Sequence, residues 1–211
     1  MYKNILAAIN EYSNSEIAAK YALALARSCQ AKLFLVFVAE EKTGTAVLKR
    51  AELAMERLFL EAKDLHIEAE SILAEGDPVR KLSEKVKENG VDLVFISTRH
   101  QDVRKQLFQR SYAEKLILHL PCSVAMVRVV HMQRIHPRHI LVPLRGAVSK
   151  LDERAYFVSM LAKAFDSTVT LFHSSMPISR FFHGETKLKP AERVENIPED
   201  IRKFSDSLHV H

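Results

Sequence analysis

The 211-residue sequence holds only five glycines, Gly44, Gly76, Gly90, Gly146 and Gly184, and no two of them lie close together. A G-x-G-x-x-G dinucleotide loop and a G-x-x-x-x-G-K-[ST] phosphate loop are both excluded, because each needs several glycines within a few residues to bring backbone N–H groups against phosphate. Cysteine is equally sparse. Cys29 and Cys122 are the only two, form no C-x-x-C pair, and read as buried free thiols of a reducing, cytoplasmic setting. The longest apolar run, residues 33–39, is far too short to cross a bilayer, so no membrane insertion is expected. Met1-Tyr2-Lys3-Asn4 leads straight into a strand-like run without the layout of a signal peptide. Blocks of like charge are missing as well. The 31 Lys and Arg against 26 Asp and Glu give a net charge of +5 spread along the chain, which points away from nucleic acid and membrane surfaces as partners. There is no G-x-S-x-G elbow, no H-E-x-x-H and no obvious carboxylate pair, so a binding protein is favoured over an enzyme.

What is present is an alternation of apolar runs and helix-forming stretches. Residues 5–9, 33–38, 67–74, 92–96 and 123–130 read as buried strands. Between them, Ser13-x-x-Glu16 and Ser111-x-x-Glu114 are capping boxes that open two helices, the second running to about residue 119 before Pro121. Residues 46–64 are rich in helix formers. Gly76-Asp77-Pro78 is a turn with Pro78 suited to a first helical turn, and Asn89-Gly90 ends the helix after it. Five strands alternating with four helices mean a doubly wound parallel α/β sheet. The loop over residues 98–109 is the first place to look for function, because loops after strand carboxyl ends line the crevice of open α/β sheets.

After a linker over residues 131–138 the pattern restarts. Asn4-Ile5-Leu6-Ala7-Ala8-Ile9 is echoed by His139-Ile140-Leu141-Val142-Pro143-Leu144, and Glu16-Ile17-Ala18-Ala19 by Glu153-Arg154-Ala155-Tyr156. The echo implies a tandem duplication: a domain over residues 1–130, and a partial second copy over 139–211 that has no counterpart of 92–130. Residues 176–198 carry no clear periodicity, and 199–208 read as one more helix. A half sheet leaves an edge and an apolar face uncovered. Two expectations arise from this: a piece of a longer tandem protein, or a half-domain packed on the first domain or on a partner chain.

These segments together resemble the universal stress protein family. The resemblance is carried by Asn4 to Asn10, by Glu75-Gly76-Asp77-Pro78, and most strongly by Asp92-Leu93-Val94-Phe95-Ile96-Ser97-Thr98-Arg99-His100 running through Arg110-Ser111-Tyr112 to Leu120-Pro121-Cys122-Ser123-Val124. It implies a five-stranded sheet of order 3-2-1-4-5, of the adenine nucleotide alpha hydrolase type, and a homodimer joined at strand 5. In the ATP-binding branch of the family the nucleotide sits at the carboxyl ends of strands 1 and 4, with the motif G-x2-G-x9-G-[ST] and an Asp closing strand 1. Here the three glycine positions fall on Ser97, His100 and Arg110, the hydroxyl position on Ser111, and the Asp position on Asn10. The site residues implied are Asn10, Val38, Ser97, Arg99, His100, Arg110, Ser111 and Tyr112. No catalytic or metal-ligating residue is expected. No tightly held cofactor is expected either, with ATP or AMP as the nucleotide left open.

Two physical effects oppose each other in that loop. Side chains at the glycine positions fill space where phosphate would lie and disfavour positive φ. Arg99, Arg104, Lys105 and Arg110 make the same loop basic, and a helix start attracts anions. The primary reading is a non-enzymatic regulatory protein of the stress response with a degenerate nucleotide site and an unknown protein partner. The alternatives are an AMP- or ATP-binding sensor using Asn10, Ser111 and the basic loop, and a weak ATP hydrolase. Several residues keep two readings. Ser111 is a phosphate ligand or a helix cap, His100 a phosphate contact or an exposed loop residue, and Tyr12 and Tyr112 base-stacking or rim residues. Asp77 and Asp92 are carboxylate candidates or turn and strand-edge residues, and His131, His136 and His139 are metal ligands or linker residues. In the second copy the Asp position falls on Arg145, with Pro143 inside the strand, so no second nucleotide site is expected.

Overall fold

The computed structural model describes residues 2–98, 112–129, 135–144, 149–173 and 198–210. Seven strands and six helices lie among the described residues. They are β1 (Asn4–Ile9), α1 (Ser13–Cys29), β2 (Lys32–Ala39), α2 (Thr45–Asp64), β3 (Ala69–Glu75), α3 (Pro78–Glu88), β4 (Leu93–Thr98), α4 (Tyr112–His119) and β5 (Ser123–Arg128). After them come β6 (His139–Leu144), α5 (Leu151–Phe165), β7 (Thr168–His173) and α6 (Glu199–Val210). The chain divides into two compact units, Met1–His136 and Pro137–His211.

In the first unit the five strands form one parallel sheet of order β3-β2-β1-β4-β5, the order the resemblance implied. Near-continuous apolar runs make these strands suited to burial on both faces. One face carries Leu6, Phe34, Val36, Val94 and Ile96, covered by Leu82 and Val86 of α3 and by Leu116 of α4. The alternate residues, Ile5, Ala7, Leu33, Leu35 and Phe95, are as deeply buried on the other face, the side where α1 and α2 pack. β3 and β5 are the two edges.

Local chemistry explains the element ends. Asp77 caps α3, its Oδ1 accepting from Arg80 N–H at 2.8 Å, with Pro78 at the first helical position. Gly90, at φ +56°, lets the chain leave α3 in the left-handed conformation. Gln30 does the same after α1 at φ 53°. The capping box expected at Ser13 and Glu16 does not form. Tyr12 is the cap residue, without a side-chain cap bond, and Ser13 is already helical. Glu16 instead reaches α2, where its carboxylate accepts from Arg57 Nε at 3.2 Å and Nη2 at 2.9 Å. The cysteines differ from expectation too. Cys29 and Cys122 are not joined in a disulfide and are only half-buried.

The second unit is a β6–α5–β7–α6 arrangement around a small core of Leu144, Ala155, Val158, Ile201 and Phe204. β6 and β7 are parallel, and His139 pairs with Thr168 as Asn4 pairs with Lys32. The hydrogen bonds correspond as well. Thr168 N–H donates to Arg138 C=O at 2.9 Å, and Lys32 N–H donates to Lys3 C=O at 2.8 Å. Asp166 closes α5 in the left-handed conformation at φ 50°, as Gln30 closes α1.

Candidate functional site

β1 and β4 are neighbours in the sheet, yet one connects away to β2 and the other to β5. That reversal is the switch point where ligands bind in open α/β sheets. The ladder between them covers only Ile5–Leu93, Leu6–Val94 and Ala7–Phe95. β1 continues to Ile9 and β4 to Thr98. The carboxyl ends of the two strands therefore run on unpaired to each other, and this opening is the candidate site.

Asn10 leaves β1 directly into it. Its Oδ1 accepts from Tyr12 N–H at 2.9 Å, and its own N–H donates to Ser15 Oγ at 3.0 Å. Ser15 is fully buried, and its hydroxyl lies 2.8 Å from the Tyr12 carbonyl and 3.1 Å from the Asn10 carbonyl. The side-chain oxygen of Asn10 is thus engaged in an Asx turn that shapes the loop. Among the described residues its Nδ2 has no hydrogen-bond partner, which leaves Asn10 a donor rather than an acceptor to offer. Tyr12, two residues on, is 45% exposed.

On the β4 side Ser97 is half-buried, and Thr98 closes the strand. Thr98 Oγ1 is the one buried side-chain oxygen or nitrogen without a hydrogen-bond partner among the described residues. An orphaned buried hydroxyl costs about 1–3 kcal/mol. Arg128, at the end of β5, is in register with Thr98 and exposed. In the sequence Thr98 stood out only as the first residue of the loop over 98–109, and Arg128 not at all. Strand alternation carried from β4 to β5 was the signal that could have found both. Val38, near the end of β2, is half-buried and packs on the α3/α4 core with Ala8 and Val79. It forms floor rather than a polar contact.

The structure therefore brings Asn10, Ser97 and Thr98 to one opening. Arg99, His100, Arg104, Lys105, Arg110 and Ser111 lie outside the described residues, and so does the second-copy position Arg145. Tyr112 opens α4. The carboxylate candidates have structural roles. Asp92 Oδ2 accepts from Lys3 N–H at 2.7 Å and Asn4 N–H at 3.0 Å, fixing the start of β1, and Asp77 caps α3. No group of three or more His, Cys, Asp or Glu that could hold a metal occurs among the described residues, and no helix among them is long and apolar enough to cross a membrane.

The family model for universal stress proteins matches residues 1–128, the whole five-stranded sheet. The chain belongs to the universal stress protein family. Among curated relatives, the universal stress protein YxiE of Bacillus subtilis (strain 168) is 26% identical over 148 residues, which span 61% of this chain and 100% of that protein. Among solved structures, a universal stress protein in complex with cAMP covers 60% of this chain with 97% of its own at 17% identity and a TM-score of 0.52. A protein of unknown function from Pseudomonas aeruginosa PAO1 covers 81% of this chain with 60% of its own, at 17% identity and a TM-score of 0.58. The β1–β4 switch point lies within the matched residues.

Proposed function

We propose that this universal stress protein is a non-enzymatic regulatory protein of the stress response whose adenine-nucleotide site has lost its glycine-built phosphate cradle. The observation that carries the reading is the residue set at the positions of the family's phosphate motif. Ser97, His100 and Arg110 occupy all three glycine positions of the family's phosphate motif. Asn10, in place of the strand-1 Asp, spends its oxygen on its own loop. Bulk at three glycine positions leaves phosphate less room against backbone N–H groups, and Asn10 offers a ribose or adenine edge a weaker acceptor than a carboxylate. β5 is an edge strand with Met126 half exposed, which supports a homodimer formed along it. We read residues 139–211 as a partial second copy of the first domain.

A second reading, a weak AMP or ATP sensor, is favoured by the orphaned Thr98 hydroxyl, which a ligand oxygen or amine would satisfy. A relative crystallised with cAMP supports an adenine nucleotide as that ligand. Thermal unfolding with Mg-ATP, AMP and cAMP separates the readings. The first expects an unchanged midpoint at 1 mM of each, a concentration about 100 times a 10 µM Kd that would add about 2.7 kcal/mol. Stabilisation that grows with concentration and disappears in Thr98→Val and Ser111→Ala supports the sensor.

A further inference from the structure

The registers of the first sheet line up its carboxyl end. Val38 pairs with Ala74 of β3, and Thr98 with Arg128 of β5. Carried on from Ile9–Phe37, the β1–β2 register sets Asn10 opposite Val38. Carried on from Ala7–Phe95, the β1–β4 register sets the same Asn10 opposite Thr98. The sheet therefore ends in one row of positions: Ala74, Val38, Asn10, Thr98 and Arg128. By strand alternation this row continues the face of Leu6, Val36 and Val94.

The chemistry of the row changes along its length. Ala74 is buried and Val38 half-buried, and both are apolar. The other three positions offer donors. Asn10 Oδ1 is taken by Tyr12 N–H, which leaves Nδ2 to be offered. Thr98 Oγ1 is buried and has no partner. Arg128 is exposed, and no ion pair or hydrogen bond engages its guanidinium among the described residues. A ligand edge lying along these three groups must therefore consist of acceptors, and beside a guanidinium it is best an anion. Spacing agrees with this. Neighbouring strands lie about 4.8 Å apart, and one oxygen accepting from two donors on opposite sides bridges about 5–6 Å. A carboxylate has two such oxygens and matches a guanidinium in shape. A phosphate ester would need the further donors of a glycine-built cradle, so the choice of carboxylate over phosphate rests on the loss of that cradle proposed for the loop.

We propose that this row binds a small organic carboxylate with an apolar tail. The carboxylate lies across Asn10, Thr98 and Arg128, and the tail lies over Val38 and Ala74. From Thr98 to Val38 is two strand spacings, about 10 Å, which suits an acid with a short chain or a single ring.

The test is a titration of the isotope-labelled full chain, followed by NMR, with 3-phenylpropanoate as the probe. Its neutral amide, 3-phenylpropanamide, and AMP are titrated beside it. Expected are saturable shifts at residues 9–12, 38, 97–98 and 126–128, half-complete near about 1 mM, with the amide at least about tenfold weaker. Asn10→Asp keeps an oxygen for Tyr12 N–H but sets a negative charge in the row. Arg128→Gln removes the positive charge at an exposed position. With both variants folded by circular dichroism, each should weaken binding of the acid about tenfold or more, and Arg128→Lys should lose less than Arg128→Gln. The carboxylate site is overturned by a lack of saturation at about 10 mM, by equal binding of acid and amide, or by unchanged affinity in Asn10→Asp and Arg128→Gln. AMP keeps the two proposals apart. If neither AMP nor the acid binds, the carboxylate site alone fails. Saturable binding of AMP below about 1 mM overturns the lost cradle, and the choice of carboxylate with it.

Discussion

Leu6 and Leu141 hold the same place in two sheets built alike, and they meet opposite fates. Leu6 is fully buried under α3 and α4, whereas Leu141 is 62% exposed. The strands, their parallel register, the left-handed exit from the preceding helix and the first cross-strand hydrogen bond are alike in the two units. The difference lies in the elements beyond the second strand. The first unit continues through α3, β4 and α4, which close the outer face. Among the described residues the second continues to α6, which packs with α5. A β-α-β-α unit is thus enough to organise one layer of core, and burial of the other layer depends on later elements. Side-chain choice matches this. Where the first sheet has Phe34 on the outer face the second has Thr170, and where the first has Ala8 the second has Pro143.

The comparison can be broken most forcefully by placing one charge at both positions. Leu6→Asp buries a carboxylate without a partner and is expected to cost about 4 kcal/mol or more. Leu141→Asp is expected to stay within about 0.5 kcal/mol. Equal losses in chemical denaturation would mean that the outer face of the second sheet is covered. Next in size, Phe204→Ala removes the largest side chain of the second core, at a cost of about 3–4 kcal/mol. The loss should appear in the amide signals of residues 139–173, with β1 to β5 retaining their exchange protection. Loss of protection throughout would show that the two units unfold together. The smallest effect is chemical. Burial, with the Asp92 carboxylate adding to it, pushes the Cys122 thiol up to about 11 from its ordinary 9.0. Two pH units mean about a hundredfold less thiolate at neutral pH. Alkylation of Cys122 should therefore be slow at pH 7.5 and rise about tenfold per pH unit until about 11. Because the folded state favours the neutral thiol, any contribution of this group to stability falls as pH rises from 9 towards 11. A Cys122 that reacts as fast as a free thiol contradicts its half-buried place beneath α4.

Much of the fold was legible because each signal was local. Pro78 and Asp77 opened α3 where expected, Asn89-Gly90 closed it, and the apolar runs became strands to within a few residues. β3 starts at Ala69 rather than at 67 because His66 turns the chain at φ 57°. The loop after β1 was misread for a different reason. Ser13-x-x-Glu16 has the spacing of a capping box, which is a purely local signal. Tertiary contact decided against Ser13: Arg57 on α2 took the Glu16 carboxylate, and the buried Ser15 hydroxyl tied the loop to Asn10. The divergence of β1 from β4 and the orphaned Thr98 hydroxyl were invisible for a similar reason. Both depend on how two strands distant in sequence lie side by side. The proposed replacement of three glycines by Ser97, His100 and Arg110, by contrast, rests on the sequence and the resemblance alone.

That replacement is the centre of the functional account, and restoring the glycines tests it most directly. Mg-ATP should be titrated calorimetrically into the natural chain and into a Ser97→Gly, His100→Gly, Arg110→Gly variant, both folded by circular dichroism. The account predicts no saturable heat for the natural chain at up to about 100 µM, and a saturable binding isotherm for the variant, because backbone N–H groups can again approach phosphate. Micromolar binding by the natural chain, unchanged or weakened in the variant, would contradict it.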